Sequence, residues 1–334
     1  MRPVTTLLLV AFLLTTLQTA CAADVGFQAI EIPDGDEKPL DAGVWYPTDA
    51  QASPHRIGGA TQTVALNAPI AGRDLPLILI SHGSGGWYGG HYDTALALVQ
   101  AGFVVAAVTH RGDSFDDHSR TAQLWVRPEQ LKRLTDYMVA SWPQHASIDA
   151  SRIGVFGFSA GGLTALVAAG GVPDLGLIGP YCVEHPDTDT CAVVRGTPGL
   201  MDRFATLPAS VWVHDTRVRA VVVAAPAVGF VFDRGGLVDV HVPVQLWSAR
   251  FDHVEPAPDY ADVVRAALPA APDFHLVENA DHYDFLPACS ASAAREIPEI
   301  CTSRSGFDRA AFHSEMNRDV VAFFERTLDR KSVV

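Results

Sequence analysis

Gly157-Phe158-Ser159-Ala160-Gly161 stands between the apolar run Ile153 to Phe156 and the helix-forming run Leu163 to Ala169. A serine on a sharp strand-to-helix turn has its hydroxyl clear of the sheet, and such a turn needs small residues two places either side, a need that Gly157 and Gly161 meet. The same turn leaves the first amides of the following helix unpaired, so the N–H of Ala160 is aimed at any oxyanion formed beside the serine. Residues of these types at this spacing suit covalent acyl transfer. A chance G-x-S-x-G in a chain with 27 glycines is the plain alternative; a strand before it and a helix after it argue against chance.

Serine at its free pKa is a weak nucleophile, so the turn calls for a histidine base and a carboxylate to orient it, both on later strand ends. Asp252 lies in Ser248-Ala249-Arg250-Phe251-Asp252-His253, just after the strand pattern Val242 to Trp247. His282 lies in Glu278-Asn279-Ala280-Asp281-His282-Tyr283-Asp284-Phe285, just after the strand pattern Phe274 to Glu278. Carboxyl ends of strands are where open α/β sheets assemble their sites. The rivals are weaker: Asp281 and Asp284 sit too near His282 in sequence to orient it well, and Asp233 or Asp239 would serve only if the acid came from the preceding loop. His253, His275 and His313 have no matching position after the last strand, and His82 is placed to brace a loop.

That loop, Ser81-His82-Gly83-Ser84-Gly85-Gly86-Trp87-Tyr88, is the expected source of a second oxyanion donor, the amide of Ser84 first and that of Gly85 second. Trp87 and Tyr88 are expected to line the acyl pocket, with ordinary packing as the alternative. The glycines do not make a dinucleotide fingerprint, because Tyr88 occupies the position of the third glycine. No metal or organic cofactor is called for. A non-catalytic exported binding protein on the same scaffold would be marked by loss of a triad member, and none is missing.

Positioning these residues falls to a regular alternation of strands and helices. Phe27 to Ile32 and Ala42 to Tyr46 predict two antiparallel strands around the turn Pro33-Asp34-Gly35-Asp36, whose two aspartates lack the other ligands of a calcium loop. Residues 47 to 74, polar and rich in Ala, Gly and Pro, read as a long connection. Strands are then expected at Leu75 to Ile80, Phe103 to Thr109, Ile153 to Gly157, Val218 to Ala225, Val242 to Trp247 and Phe274 to Glu278. Helices are expected at Gly90 to Ala101, Arg127 to Trp142 (Leu131, Leu134 and Met138 on one face), Ala160 to Gly170, Ala257 to Ala267 and Phe307 to Leu328. The fold class is therefore α/β, a mostly parallel central sheet with helices on both faces. Residues 171–217 break the rhythm directly after the elbow helix and predict an inserted cap over the site.

A chain of 334 residues, 48% apolar, can bury one large core, and its formal net charge of −14 with scattered lysines and arginines argues against nucleic acid and anionic membranes as partners. Residues 1–22 carry one charge, Arg2, an apolar run from Leu7 to Leu14 and the small-residue ending Ala20-Cys21-Ala22, which predicts a secretory signal peptide cut after Ala22 and one domain from 23 to 334. A lipid-modified Cys21 is the competing reading, with Gln18 where an aliphatic residue is usual. Beyond Cys21 stand Cys182, Cys191, Cys289 and Cys301, and bridging each local pair is the simplest of three connectivities.

With the Ser, Asp, His order established, the chain resembles serine hydrolases of the α/β-hydrolase superfamily from the strand at Leu75 to the last helix. It is especially similar to bacterial proteins described as predicted dienelactone hydrolases and to the platelet-activating-factor acetylhydrolase-like group. Pro76-Leu77-Ile78-Leu79-Ile80-Ser81-His82-Gly83, the elbow, and the Asp252 and His282 segments carry that resemblance. Ser159 and the export signal depart from the cytoplasmic, cysteine-dependent dienelactone hydrolases. The acetylhydrolase-like group implies a serine triad acting on small, short-acyl esters, with thioesterase, lipase or peptidase activity built from the same parts.

Overall fold

The computed structural model describes residues 24–232 and 235–329. The signal peptide expected at residues 1–22, Cys21 included, and Asp233 lie outside the described residues. Strands β1 (Asp24–Asp34) and β2 (Glu37–Thr48) form the expected antiparallel pair. The connection expected at 47–74 instead contains a hairpin, β3 (Ser53–Ile57) and β4 (Ala60–Leu66), with β4 running parallel to β1. In β4, Gln62 and Val64 are buried while Thr61 and Thr63 are exposed, so a strand's period of two is present. Gln62 disguised it: its side-chain oxygen is buried because it accepts the Trp45 indole N–H at 2.9 Å.

From β5 (Leu75–Ser81) the alternation is regular: α1 (Tyr92–Gln100), β6 (Val104–Val108), α2 (Val126–Ala140), β7 (Ile148–Phe158) and α3 (Ala160–Ala168). Three short helices, α4 (Ile178–Glu184), α5 (Asp189–Gly196) and α6 (Leu200–Thr206), occupy the segment expected to be a cap. The body resumes with β8 (Val218–Ala224), β9 (Val244–Ala249), α7 (Ala261–Ala267) and β10 (Asp273–Val277), followed by the one-turn helices α8 (Ala293–Glu296) and α9 (Pro298–Cys301) and the long α10 (Arg309–Thr327). The ten strands form one sheet in the order β10-β9-β8-β7-β5-β6-β2-β1-β4-β3, parallel from β10 to β6.

Both faces of the sheet are buried because successive side chains point opposite ways. Leu77 and Leu79 of β5 pack with Leu131, Leu134 and Met138 of α2 and Leu163 and Leu166 of α3. Ile78 and Ile80 pack on the other face with Leu98 of α1 and Met316, Val320 and Phe324 of α10. Because β5 lies between β7 and β6, the chain changes direction across the sheet there, and the ends of β5 and β7 open a crevice between their following loops. Ser81 pairs in register with Gly157, which sets the glycine loop beside the elbow. The strand order, the helices on both faces and this crevice together constitute the α/β-hydrolase fold.

Two cystines, Cys182–Cys191 and Cys289–Cys301, join the local pairs expected from the sequence. Disulfides of this kind belong to oxidising compartments. Among the described residues no helix is long and apolar enough to cross a membrane.

The elbow's tolerance is set by backbone contact. A Cβ on Gly161 would lie 1.9 Å from the Ser81 carbonyl oxygen, and one on Gly157 would lie 2.0 Å from that of Gly161. Gly161→Ala is therefore expected to cost about 3 kcal/mol or more, since the obstacle is main chain and not a movable side chain. Urea unfolding of the purified variant measures this; a midpoint equal to that of the parent protein would refute it.

Candidate active site

Ser159 follows β7 with φ of 54° and ψ of −118°, a left-handed conformation that a side chain-bearing residue adopts at a cost of about 1–3 kcal/mol. Hydrogen bonds pin it from both sides: its N–H donates to the Ala224 carbonyl (2.9 Å), and its own carbonyl accepts from the amides of Gly162 (2.8 Å) and Ala227 (3.0 Å). The hydroxyl-bearing residue is thereby fixed to the ends of β7 and β8 before any substrate arrives. Ala160 opens α3, where the first helical amides have no partner within the helix.

His282 stands after β10 and is buried; its Nδ1 lies 2.9 Å from Asp252 Oδ2. Asp252, after β9, is held in turn by its other oxygen, Oδ1, which accepts from the amides of Val254 (3.0 Å) and Glu255 (2.6 Å). With the carboxylate accepting at Nδ1, that nitrogen carries the proton and Nε2 is left as the basic one. The rival acids are otherwise engaged. Asp281 accepts from the His282 amide (2.8 Å) and pairs with the His253 ring, while Asp284 binds Arg309 and Ser303. Asp239 lies in an exposed turn. His313 binds Asp93, and His275 stacks on Trp247.

Ser159, Ala160, His282 and Ser84 line one cavity of about 300 Å³. The segment 171–217 supplies much of its wall, including Ile178, Val193, Val194, Leu200 and Phe204, so the lining is predominantly apolar. Gly83 also lies close to the elbow, since a Cβ there would lie 3.0 Å from the Phe158 ring and 3.3 Å from the Cβ of Ser159. The Gly85 amide donates to Asp113 Oδ1 (3.3 Å), and the Ser84 hydroxyl reaches Asp113 Oδ2 (3.2 Å).

Trp87 and Tyr88 do not line this cavity, contrary to the expectation from the sequence. Gly86 bridges to Ser114 and turns the chain toward the antiparallel edge. Trp87 then lies over Gly58 and Gly89, and Tyr88 packs near Phe27 and Trp45 while its amide donates to Thr109 Oγ1 at 3.1 Å. They line a separate depression with Ala29 and Phe115.

The sequence did not disclose the polar network behind the glycine loop. His82 braces the loop as expected, with Nδ1 donating to the Gly83 carbonyl (2.6 Å) and Nε2 accepting the His110 amide (2.9 Å). His110 in turn joins Ser81 (2.8 Å) and Gln130 (3.0 Å) through its ring. Burial, and then the charge of Arg127, hold both rings well below the usual histidine range, so both are neutral braces. Arg127, itself buried, binds Asp113 Oδ2 (2.5 Å), the Thr164 hydroxyl (3.3 Å) and the His82 carbonyl. The clue was available in the pattern: Arg127 precedes Leu131, Leu134 and Met138 at helical spacing, a cation on the apolar stripe of α2.

Two further buried groups face the cavity. His91, between Phe156 and Phe158, has no hydrogen-bond partner on either ring nitrogen among the described residues, and burial lowers its pKa to about 4. Glu255 also lines the cavity; burial first, and the Asp252 charge second, raise its carboxyl pKa well above the normal range. Among the described residues no group of three or more His, Cys, Asp or Glu is arranged to hold a metal ion.

No family model matches the chain, and no curated protein matches it in sequence. Among solved structures it is similar to the ferulic acid esterase from Streptomyces cinnamoneus, with a TM-score of 0.65 and 18% identity over 92% of this chain and 91% of that one. At that identity the likeness speaks for the fold, which the two chains share over nearly their whole lengths. The resemblance to the dienelactone hydrolase-like and acetylhydrolase-like branches rests on the sequence motifs alone.

Two stability measurements follow from the buried charges. Arg127→Met leaves Asp113 buried and unpaired and is expected to cost about 3–5 kcal/mol, with Arg127→Met/Asp113→Asn recovering part of the loss in denaturant unfolding. Equal losses in the single and double variants would remove the pair as the cause. For Glu255, the acid is neutral when folded and ionised when unfolded, so stability falls as pH rises from about 4.3, the unfolded value, toward the raised folded value. The facing groups are Asp252, Asp189, the Tyr260 hydroxyl and the Val228 amide, and the two aspartates reinforce the shift. Glu255→Gln should therefore gain Tm over the parent increasingly between pH 5 and pH 8; a gap independent of pH would contradict the assignment.

Proposed function

We propose that the protein is a serine-dependent carboxylic ester hydrolase that acts on small or short-acyl esters through an acyl-enzyme. The observation that carries this reading is Ser159 on a strained elbow in the same apolar cavity as His282, whose imidazole is bonded to a carboxylate held by two amides. The structural likeness to a ferulic acid esterase supports ester hydrolysis in particular.

Ser159 Oγ attacks the ester carbonyl while His282 Nε2 accepts its proton, and Asp252 stabilises the resulting imidazolium. The amides of Ala160 and Ser84 receive the oxyanion; the Ser84 amide is preferred to that of Gly85, which Asp113 already engages. Collapse breaks the bond to the alcohol, which leaves with the proton from His282. A water deprotonated by His282 then attacks the acyl-enzyme, and a second collapse releases the acid and restores the serine. No metal or organic cofactor enters these steps. The apolar wall suits a short acyl or small aryl group and disfavours charged ones.

We assign the protein to an exported compartment, with the leader removed after Ala22 and both cystines formed. Lipidation of Cys21 is the alternative. A chromogenic ester series from acetyl to long acyl, with a feruloyl ester added, tests the reading with and without a serine-directed phosphonate. Hydrolysis should favour the small members and be abolished by the phosphonate, and Ser159→Ala should lower kcat by about four orders of magnitude or more without loss of folded signal. Unchanged turnover in that variant defeats the mechanism; inert esters with no labelling favour a binding protein.

A further inference from the structure

Glu255 has no place in the steps above. The imidazole of His282 already has its carboxylate partner, and the hydrogen bond from Glu255 to that pair is made by its main-chain N–H to Asp252. Its side chain nevertheless forms part of the wall of the Ser159 cavity, and the residue is 8% exposed. Oε2 has no hydrogen-bond partner among the described residues. The Tyr260 hydroxyl lies beside the carboxyl and beside those of Tyr181 and Thr190, all without a hydrogen bond of normal geometry, and its closeness lowers the Glu255 pKa against the larger upward effects of burial and Asp252. A polar group short of a partner is costly to bury, so a carboxyl that borders a ligand cavity has a partner to gain on binding.

We infer that Glu255 is a specificity-determining residue that receives a neutral, hydroxyl-bearing part of the substrate within the Ser159 cavity. This role rests on the ester-hydrolase reading above and names a substrate class for it. A protonated carboxyl offers one donor and one acceptor side by side, and a hydroxyl offers the same two in return. The side chains of Val193, Val228 and Val254 in the surrounding wall offer such a group nothing, and Asp189, Thr190 and Tyr283 are the other polar residues of that part of the lining. A carboxylate ligand is disfavoured by the charges of Asp252 and Asp189 beside Glu255. A cation would have to leave water for an apolar cavity and ionise Glu255, and it serves as the competing occupant in the test.

Matched ester pairs that differ only in one hydroxyl, carried on the acyl side in one pair and on the alcohol side in the other, provide the probe, together with an aminomethyl analogue of each. Equilibrium binding is measured by calorimetry on Ser159→Ala and on the same protein with Glu255→Leu, Glu255→Met or Glu255→Gln; kcat/KM ratios are measured with Ser159 intact. In at least one pair the hydroxyl ester should be favoured by roughly tenfold or more. That preference should vanish in the Leu and Met variants and persist in part with Gln, which keeps a donor and an acceptor. A purely structural role would weaken both members of a pair alike and leave their ratio unchanged, which overturns the assignment. So does a preference for the aminomethyl ligand, or the absence of any discrimination. If esters bind with the expected preference but none is turned over or labelled by the phosphonate, the hydrolase reading fails while the recognition role stands.

Discussion

The site depends on a close approach of main chain to main chain at the switch in strand direction. Gly161 comes so near the Ser81 carbonyl that no side chain fits, and Gly157 is equally tight against Gly161. That contact sets α3 against the ends of β5 and β7, and Ser159, between the two glycines, has a positive φ. The strain is held by bonds from neighbouring strand ends, the Ala224 carbonyl on one side and the Ala227 amide on the other. Ser159, the N-terminus of α3 and the glycine loop are thus parts of one contact, and a change in any of them displaces the others.

Behind the glycine loop the protein invests polarity where an apolar core would be expected. A buried ion pair is weak evidence for stability, because taking both charges out of water offsets much of their attraction. Its position explains it better. Arg127 reaches from α2 to the His82 carbonyl, to Thr164 on α3 and to Asp113 after β6, so one guanidinium joins the loop beside Ser159 to three other elements. Two neutral histidines extend the network to Ser81 and Gln130. A fully bonded network is a stiff way to fix the course of the glycine loop beside Ser159.

Much of this was legible in the chain, for a physical reason: the parallel strands are buried on both faces and the helices are amphipathic, so each element announces itself locally. The elbow and the positions of Asp252 and His282 after their strands could be read locally, because each lies at the end of a strand that the pattern marks. The hairpin at Ser53–Leu66 was hidden because Gln62 is polar in composition yet buried by one bond to Trp45. Trp87 and Tyr88 were misplaced because proximity in sequence to the glycine loop says nothing about the direction taken after Gly86, which a contact with Ser114 decides. The partners of Arg127 and the isolation of Glu255 Oε2 are likewise non-local, although a cation on an apolar helical stripe was a visible sign that some buried anion must answer it.

The two cystines mark the difference between the frame and the cavity it carries. Neither lies in the sheet, whose strands are already fixed by paired ladders and packing on both faces. Cys182–Cys191 ties α4 to α5, the helices that bring Ile178, Val193 and Val194 to the cavity, and the stacking of Tyr181 on Phe230 at 3.9 Å docks that segment on the body. Cys289–Cys301 closes the stretch that follows Leu286 and carries Ile300, both of which line the cavity. Short helices of one or two turns bury too little surface to hold their own shape, and a covalent tie across nine or twelve residues removes disorder they could not otherwise suppress. The shape of the apolar wall is therefore stabilised by oxidation, whereas the elbow and the strand ends bearing Asp252 and His282 are stabilised by the sheet.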